Sequence, residues 1–143
     1  MEEPTYSVII VTYQRDLEVQ ATLSAILAQS VRREAMEICV VDNGGAERTR
    51  AAWADRVDIW VDSQDNLGCA GGRNRGAEAT RAPILVFVDD DGIPGPDFVE
   101  RLGEVLHGHP DAVAVRGRAV ALNHPLLTTP VKELSHHRWV EGP

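Results

Sequence analysis

The chain has no surplus of basic residues, and this absence excludes one large class of function. Over 143 residues it carries 14 Lys and Arg against 22 Asp and Glu, which gives a formal net charge of −8. A protein that binds DNA or RNA needs a basic surface, because neutralising phosphates supplies much of its affinity. We therefore expect no nucleic-acid partner. An acidic protein can still bind a diphosphate where a cation or local arginines supply positive charge.

Long apolar runs and cysteines are also scarce. No hydrophobic stretch approaches the roughly 20 residues that a membrane-spanning helix needs. Residues 1–5 include two glutamates where a secretion signal would begin with basic residues. The two cysteines, Cys39 and Cys69, favour a reducing compartment. These features predict a cytoplasmic protein without a transmembrane segment, and they leave a peripheral association with a membrane open.

Strand-like and helix-like segments alternate along the chain, which predicts an α/β sandwich with a mainly parallel sheet. The short runs rich in β-branched residues predict strands at 7–11, 37–41, 57–61, 84–88 and 112–115. Apolar residues at helical spacing predict helices at 16–30 and 47–55, a third that ends near 81–83, and a fourth at 96–107. Asp16 is the expected N-cap of the first helix, and Pro96 suits the first turn of the last.

Three consecutive aspartates, Asp89 to Asp91, follow the most apolar strand without an intervening turn. Adjacent carboxylates repel one another, and burying them near a core strand is costly without a counter-charge. Mg²⁺ and Mn²⁺ resolve that conflict, because they prefer hard oxygen ligands and share them with substrate phosphates. In an extended chain Asp89 and Asp91 point to one side and Asp90 to the other. We therefore predict a divalent cation, Mn²⁺ or Mg²⁺, at Asp89 and Asp91, with a solvated acidic turn as the alternative.

Two other protein classes also place aspartates after an apolar strand. Asp89, Asp91 and Gly92 come close to the start of a haloacid-dehalogenase-type phosphatase. However, Ile93 stands where that family has threonine or valine, and only residues 94–143 remain for its later motifs. A response-regulator receiver needs a further aspartate, a threonine and a lysine on later strands, of which only Lys132 is present. Both alternatives are weak.

Four segments together resemble the family 2 glycosyltransferases with the GT-A fold, in their order and in their spacing. They are Ser7–Arg15, Val40–Gly44, Asn66–Gly76 and Leu85–Asp91, and the resemblance extends over roughly the first 120 residues. It implies a Rossmann-like nucleotide-diphospho-sugar transferase sandwich, incomplete on the acceptor side, and an inverting reaction. It also divides the chain into a nucleotide-sugar-binding domain at 1–122 and the start of an acceptor-side segment at 123–143.

The resemblance implies roles for particular residues in binding the sugar donor and the metal. Thr12 and Tyr13 would line the nucleobase pocket, and Asp42 would accept a hydrogen bond from the base. Asp91 would be the direct metal ligand, with Asp89 near the ribose or sugar and the metal. The other implied donor-binding residues are Arg15, Asn66, Gly68, Arg73, Asn74 and Asp90.

Each of these roles has a simpler structural alternative. Asp42 precedes Asn-Gly, a strong turn signal, and could belong only to a turn. The pair Gly71 and Gly72 could bring the loop close to a nucleotide or merely allow close helix packing. The basic residues Arg73 and Arg75 could be solvated helix charges.

The implied function is transfer of a sugar from a nucleoside-diphosphate sugar, preferably UDP- or dTDP-linked, to an acceptor that the sequence does not identify. In the family, the carboxylate base lies in an acceptor-side segment beyond the acidic residues. Neither Glu133 nor Glu141 stands in that context, so we assign no catalytic base. We expect the chain to be the donor-binding part of a longer enzyme. A catalytically silent nucleotide-sugar-binding module is the alternative from another functional class.

Overall fold

Four parallel strands form one sheet in a computed structural model, which describes residues 3–63 and 65–117. The strands are β1 (Tyr6–Thr12), β2 (Met36–Asp42), β3 (Ile59–Asp62) and β4 (Ile84–Asp89). Their order in the sheet is β3-β2-β1-β4, so the chain crosses from one side of β1 to the other between β3 and β4. The predicted α/β class and the parallel sheet are confirmed.

Helices cover both faces of this sheet. They are α1 (Glu18–Leu27), α2 (Glu47–Trp53), α3 (Gly68–Ala79) and α4 (Phe98–Gly108). Successive side chains of β1 point to opposite faces, so Val8 and Ile10 join a core with residues of α1, α2 and α4. Ile9 belongs to a second, smaller core beneath α3. None of the helices in the described ranges is long and apolar enough to cross a membrane.

Two glycines let α3 lie directly on the sheet. A Cβ atom added to Gly72 would stand 2.4 Å from Cγ1 of Val11, and one added to Gly76 would stand 2.3 Å from Cγ2 of Ile9. Both distances are far below van der Waals contact, so no larger residue fits at this separation. Close helix packing, one of the two roles considered for Gly72, is therefore present in the structure.

The apolar residues of β4 divide between a buried and an open face. Val86 and Val88 are buried in the main core, whereas Leu85 and Phe87 are each 41% exposed on the opposite face. Within residues 3–63 and 65–117, β4 pairs only with β1 and forms an edge of the sheet. The strand is therefore less buried than its continuous apolar sequence indicated.

The predicted start of the first helix is wrong by two residues, and its predicted N-cap has another role. The helix starts at Glu18 with Leu17 at the N-cap position, and it ends at Leu27 instead of Ser30. The Asp16 carboxylate accepts hydrogen bonds from the backbone N–H and the hydroxyl of Thr49, at 2.8 and 2.6 Å. Asp16 thus satisfies a free N–H group in the first turn of α2, a tertiary contact that sequence spacing does not reveal.

Other predicted elements also differ from the structure, including β3, which runs Ile59–Asp62 instead of 57–61. Residues 112–115 do not form a strand. Pro96 precedes α4, where Asp97 is the N-cap, and its carbonyl oxygen accepts a hydrogen bond from Ser30 N–H instead. Gly71 and Gly72, expected in a loop, are already helical, since α3 starts at Gly68. The predicted acceptor-side segment, 123–143, lies outside the described residues.

A buried carboxylate fixes the connection between α3 and β4. Glu37 lies on β2 with its side chain 8% exposed, and Arg81 Nε is 3.4 Å from its Oε1. Its Oε2 atom accepts hydrogen bonds from the Ser7 hydroxyl at 3.0 Å and from Arg81 N–H at 2.8 Å. Ser7 Oγ in turn accepts a hydrogen bond from Ala82 N–H at 3.1 Å. One side chain thus ties two neighbouring strands to the chain that leads into β4.

We expect Glu37→Gln to lower the free energy of unfolding by about 2 kcal/mol, because an amide cannot serve as a charged acceptor for all three donors. Urea denaturation followed by circular dichroism measures this change. The exposed Glu34→Gln on the preceding 3-10 turn provides the control, with an expected change within about 0.5 kcal/mol. Equal stability of the two variants would contradict the role of this carboxylate.

Candidate functional site

An open cleft of about 460 Å³ lies at the carboxyl ends of β1 and β4. Strand order reverses between these two strands, and open α/β sheets bind their ligands at such a point. All but two of the residues predicted for the site line this cleft. They are Thr12, Tyr13, Arg15, Asn66, Gly68, Arg73, Asp89, Asp90 and Asp91.

The two exceptions are Asp42 and Asn74, which do not line the cleft. Asp42 is 7% exposed, and its Oδ1 accepts a hydrogen bond from Gly44 N–H at 2.7 Å. Burial raises the pKa of Asp42, and hydrogen bonds from the backbone of Gly44 and Ala46 partly oppose the rise. The carboxylate is thus engaged in the turn that its sequence context indicated. Asn74 lies exposed on α3. The roles suggested for both residues stay predictions.

Asp89 ends β4, and Asp90 and Asp91 form a turn instead of continuing the strand. Gly92 N–H donates a hydrogen bond to the Asp89 carbonyl oxygen at 2.9 Å, which closes a tight turn over Asp90 and Asp91. The assumption of alternating side chains therefore fails after Asp89. Asp89 pairs with Arg73, while the next two aspartates share a different arginine.

That shared arginine is Arg15, which follows β1 and lies across the acidic turn. Its Nη1 atom is 2.5 Å from Oδ2 of Asp91 and 3.8 Å from Oδ1 of Asp90. The hydrogen bond to Asp91 and the charge of Asp90 raise the pKa of Arg15. On the other side, Arg73 Nη2 is 2.9 Å from Oδ1 of Asp89. Two guanidinium groups thus nearly balance three carboxylates in the cleft.

Two threonines hold the acidic turn in place. The Thr12 hydroxyl donates to Oδ2 of Asp90 at 2.9 Å. The Thr22 hydroxyl, fully buried on α1, lies 2.9 Å from the Asp90 carbonyl oxygen and 2.8 Å from that of Gly92. Gln29, two residues beyond the end of α1, donates a hydrogen bond from Nε2 to the Gly95 carbonyl oxygen at 2.7 Å. Sequence reasoning missed both Thr22 and Gln29, and for Thr22 a polar residue among the apolar positions of α1 was the available signal.

The start of α3 forms the opposite wall of the cleft. Gly68 has φ +68°, a conformation that glycine adopts without strain, and its N–H donates to Asn66 Oδ1 at 2.9 Å. Asn43 Nδ2 donates to the Gly68 carbonyl oxygen at 3.1 Å. Free N–H groups in the first turn of a helix favour anions, and here that turn lines the cleft.

Four lining residues were not predicted for the site: Val11, Asn43, Cys69 and Val88. Asn43 is 4% exposed, and among the described residues its Oδ1 atom has no hydrogen-bond partner. Its position beside Asp42, in a segment identified as part of the resemblance, was the available signal. Cys69 is an exposed free thiol at the start of α3.

The oxygen donors of the acidic turn fit Mg²⁺ or Mn²⁺ in chemical type. Asp89 and Asp91 have side chains that are 70% and 56% exposed, so their carboxylates are accessible from the cleft. In the described part of the chain, no group of three His, Cys, Asp or Glu side chains is placed to hold a metal ion. Mg²⁺ and Mn²⁺ commonly take one or two protein carboxylates and complete their coordination with water and phosphate oxygens.

A parallel sheet with a cleft at the point of strand reversal, walled by an acidic turn and a glycine-rich helix start, defines a GT-A-type α/β sandwich. The solved structures agree. A mannosyltransferase from Pyrobaculum calidifontis, PcManGT, in complex with GDP-Man and Mn²⁺, matches with a TM-score of 0.66 at 24% identity, over 74% of this chain and 33% of that one. TarS 1–349 from S. aureus, in complex with UDP-GlcNAc, matches with a TM-score of 0.67 at 19% identity, over 82% and 37%. At these identities the likeness shows the fold.

The sequence family follows from a separate comparison. The profile of Glycosyl transferase family 2 matches residues 7–140, and the chain belongs to this family. A validoxylamine A glucosyltransferase from Streptomyces hygroscopicus subsp. limoneus is 33% identical over 139 residues, covering 91% of this chain and 31% of the relative. A glucosyl-dolichyl phosphate glucuronosyltransferase from Haloferax volcanii is 32% identical over 120 residues, covering 80% and 38%. The chain thus spans about a third of the length of these relatives.

Proposed function

We propose that this chain binds a nucleoside-diphosphate sugar together with a divalent cation, as the donor-binding part of an enzyme that transfers the sugar to an acceptor. One observation carries the proposal: three carboxylates and two guanidinium groups share one cleft at the carboxyl ends of the strands. Such a mixture suits a ligand that is itself a metal-bound anion. The proposal draws support from relatives named as glucosyl- and glucuronosyltransferases and from the nucleotide sugars in the matched structures.

Each wall of the cleft offers one part of this ligand its complementary chemistry. Asp91, assisted by Asp89, would hold the cation. Arg73 and the first-turn N–H groups of α3 that follow Gly68 suit the diphosphate, because guanidinium groups and helix starts bind phosphate oxygens. Thr12 and Tyr13 border the cleft after β1, where the nucleobase would lie. Tyr13 is 44% exposed, so part of its side chain is accessible to a ligand in the cleft.

The cation, when bound, would stabilise the negative charge that develops on the departing diphosphate. The chain's own residues would bind and orient the donor for that step. We assign no catalytic base among the described residues. A catalytically silent binding module would use the same cleft. The free thiols of Cys39 and Cys69 support a location in a reducing cytoplasm.

Calorimetric titration of UDP, dTDP, GDP and ADP, with Mn²⁺ and with EDTA, tests the proposal. We expect at least one uridine or deoxythymidine diphosphate to bind roughly tenfold or more tightly with Mn²⁺, because the cation offsets repulsion between phosphate and carboxylates. Affinities that are the same with Mn²⁺ and with EDTA would refute it. Hydrolysis of the matching nucleotide sugar, followed by release of the nucleoside diphosphate, separates an active transferase part from a silent module.

A further inference from the structure

Arg15 contacts a carboxylate oxygen that the proposed cation would need, Oδ2 of Asp91. Its Nη1 atom lies 2.5 Å from Oδ2 of Asp91 and 3.8 Å from Oδ1 of Asp90. A divalent cation bound to Asp91 would lie close to this guanidinium group, and two positive charges at such a distance repel each other. The bound cation and the Arg15–Asp91 pair are therefore in competition.

The Arg15 side chain can leave this position without disturbing the fold. Its side chain is 48% exposed and that of Asp91 is 56% exposed, and exposed ion pairs contribute little to stability. The backbone before it is fixed, because Gln14 adopts φ 54° and its N–H donates to the Gly44 carbonyl oxygen at 2.8 Å. Rotation of the side chain alone would thus move the guanidinium group from the carboxylates into the cleft.

Arg73 differs, because it has a second contact that holds it in place. Its guanidinium carbon lies 5.6 Å from the centroid of the Phe87 ring, within the range of a cation–π contact, while Nη2 bonds to Asp89. Of the two arginines in the cleft, Arg15 is therefore the one whose guanidinium hydrogen bond and ion pairs are with the acidic turn alone, while Glu18 contributes only a weaker charge interaction.

We infer that Arg15 is an exchangeable counter-ion, which neutralises Asp90 and Asp91 before a cation binds and is then released to bind the donor's diphosphate. The inference rests on the proposed function, because it takes the cation and the diphosphate from it. The charges of the cleft favour this exchange. Three carboxylates and two guanidinium groups leave it with one net negative charge, and a divalent cation reverses the sign. A freed guanidinium group can then bind two phosphate oxygens at once.

The exchange predicts opposite changes in two affinities when Arg15 is replaced. In Arg15→Gln, Mn²⁺ alone should bind roughly threefold to tenfold more tightly, because no guanidinium group competes for Asp91. UDP in saturating Mn²⁺ should bind about tenfold more weakly, because a charge-assisted contact to phosphate is lost. Electron paramagnetic resonance of free Mn²⁺ measures the first affinity, and calorimetry measures the second.

Two further variants separate the exchange from a general effect of charge. Arg15→Lys keeps the positive charge but loses the planar fork, so Mn²⁺ affinity should stay near that of the wild type while UDP binding weakens. Arg101→Gln removes another exposed arginine, on α4 and outside the residues that line the cleft, whose Nε is 2.5 Å from Oδ2 of the N-cap residue Asp97. It should change neither affinity. Circular dichroism confirms that each variant folds.

The titrations distinguish a failure of the Arg15 exchange from a failure of the proposed donor binding. If the wild type binds UDP in a Mn²⁺-dependent way but Arg15→Gln changes neither affinity, the exchange is overturned and the proposed function stands. A loss of both affinities in Arg15→Gln also overturns it, because a competing counter-ion cannot help the cation to bind. If the wild type binds none of the nucleotides with Mn²⁺, the proposed function is refuted, and the exchange that rests on it is refuted as well.

Discussion

Replacing Gly76 with valine is expected to lower the free energy of unfolding by about 3 kcal/mol or more. A Cβ atom at this position would lie 2.3 Å from Cγ2 of Ile9 and 3.3 Å from Cγ2 of Val41, both on the sheet beneath α3. Valine adds two further methyl groups, so α3 would have to move away from β1 and β2. Overpacking of this kind commonly costs 1–3 kcal/mol, a large part of the 5–15 kcal/mol that stabilises a typical domain.

The matched control is the same substitution at Gly108, the last residue of α4. No heavy atom lies within 4 Å of a Cβ added there. We expect Gly108→Val to shift the midpoint of urea denaturation only slightly, while Gly76→Val lowers it strongly or prevents folding. Similar midpoints for the two variants would show that α3 does not approach the sheet as closely as described.

The strands could be predicted because buried positions require apolar residues, and these form recognisable runs in the sequence. Every residue of β2 from Met36 to Asp42 is buried, and a continuous apolar run is the sequence signature of a strand covered on both faces. The prediction at residues 112–115 used the same kind of run and was wrong, since short apolar runs are a weak signal without a neighbour to pair with.

The contacts that shape the cleft could not be predicted, because they join residues far apart in the chain. The sequence indicated which residue types would meet, and Arg15 and the acidic residues do line one cleft. It did not indicate that Thr22 would hold the acidic turn from α1, nor that Asp16 would bond to α2 instead of its own helix. Hydrogen bonds of buried polar groups depend on tertiary packing, which sequence spacing does not encode.

Replacing Asp91 with asparagine is expected to remove most of the Mn²⁺-dependent binding of a nucleoside diphosphate, with affinity lower by about 100-fold. The magnitude follows from the loss of a charged metal ligand, since even supporting residues around metals cost 10–100-fold when removed. The fold should be unaffected, because the Asp91 side chain is 56% exposed and pairs only with Arg15 among the described residues. Calorimetric titration of UDP in saturating Mn²⁺ measures the loss, and the exposed Asp55→Asn serves as the control.

Asp90→Asn is the comparison variant for Asp91→Asn, because it removes a neighbouring carboxylate that is not a proposed metal ligand. Asp90 is one residue away, but its side chain is only 14% exposed and accepts a hydrogen bond from the Thr12 hydroxyl. Its loss should therefore disturb the acidic turn, so that the change in UDP affinity depends less on Mn²⁺ than the change in Asp91→Asn. If Asp91 acts through the cation, Asp91→Asn lowers UDP affinity with Mn²⁺ and leaves the weak affinity in EDTA unchanged or slightly higher, because one charge that repels phosphate is gone. An equal loss under both conditions would contradict the metal role, since an effect that persists without the ion cannot arise from binding it.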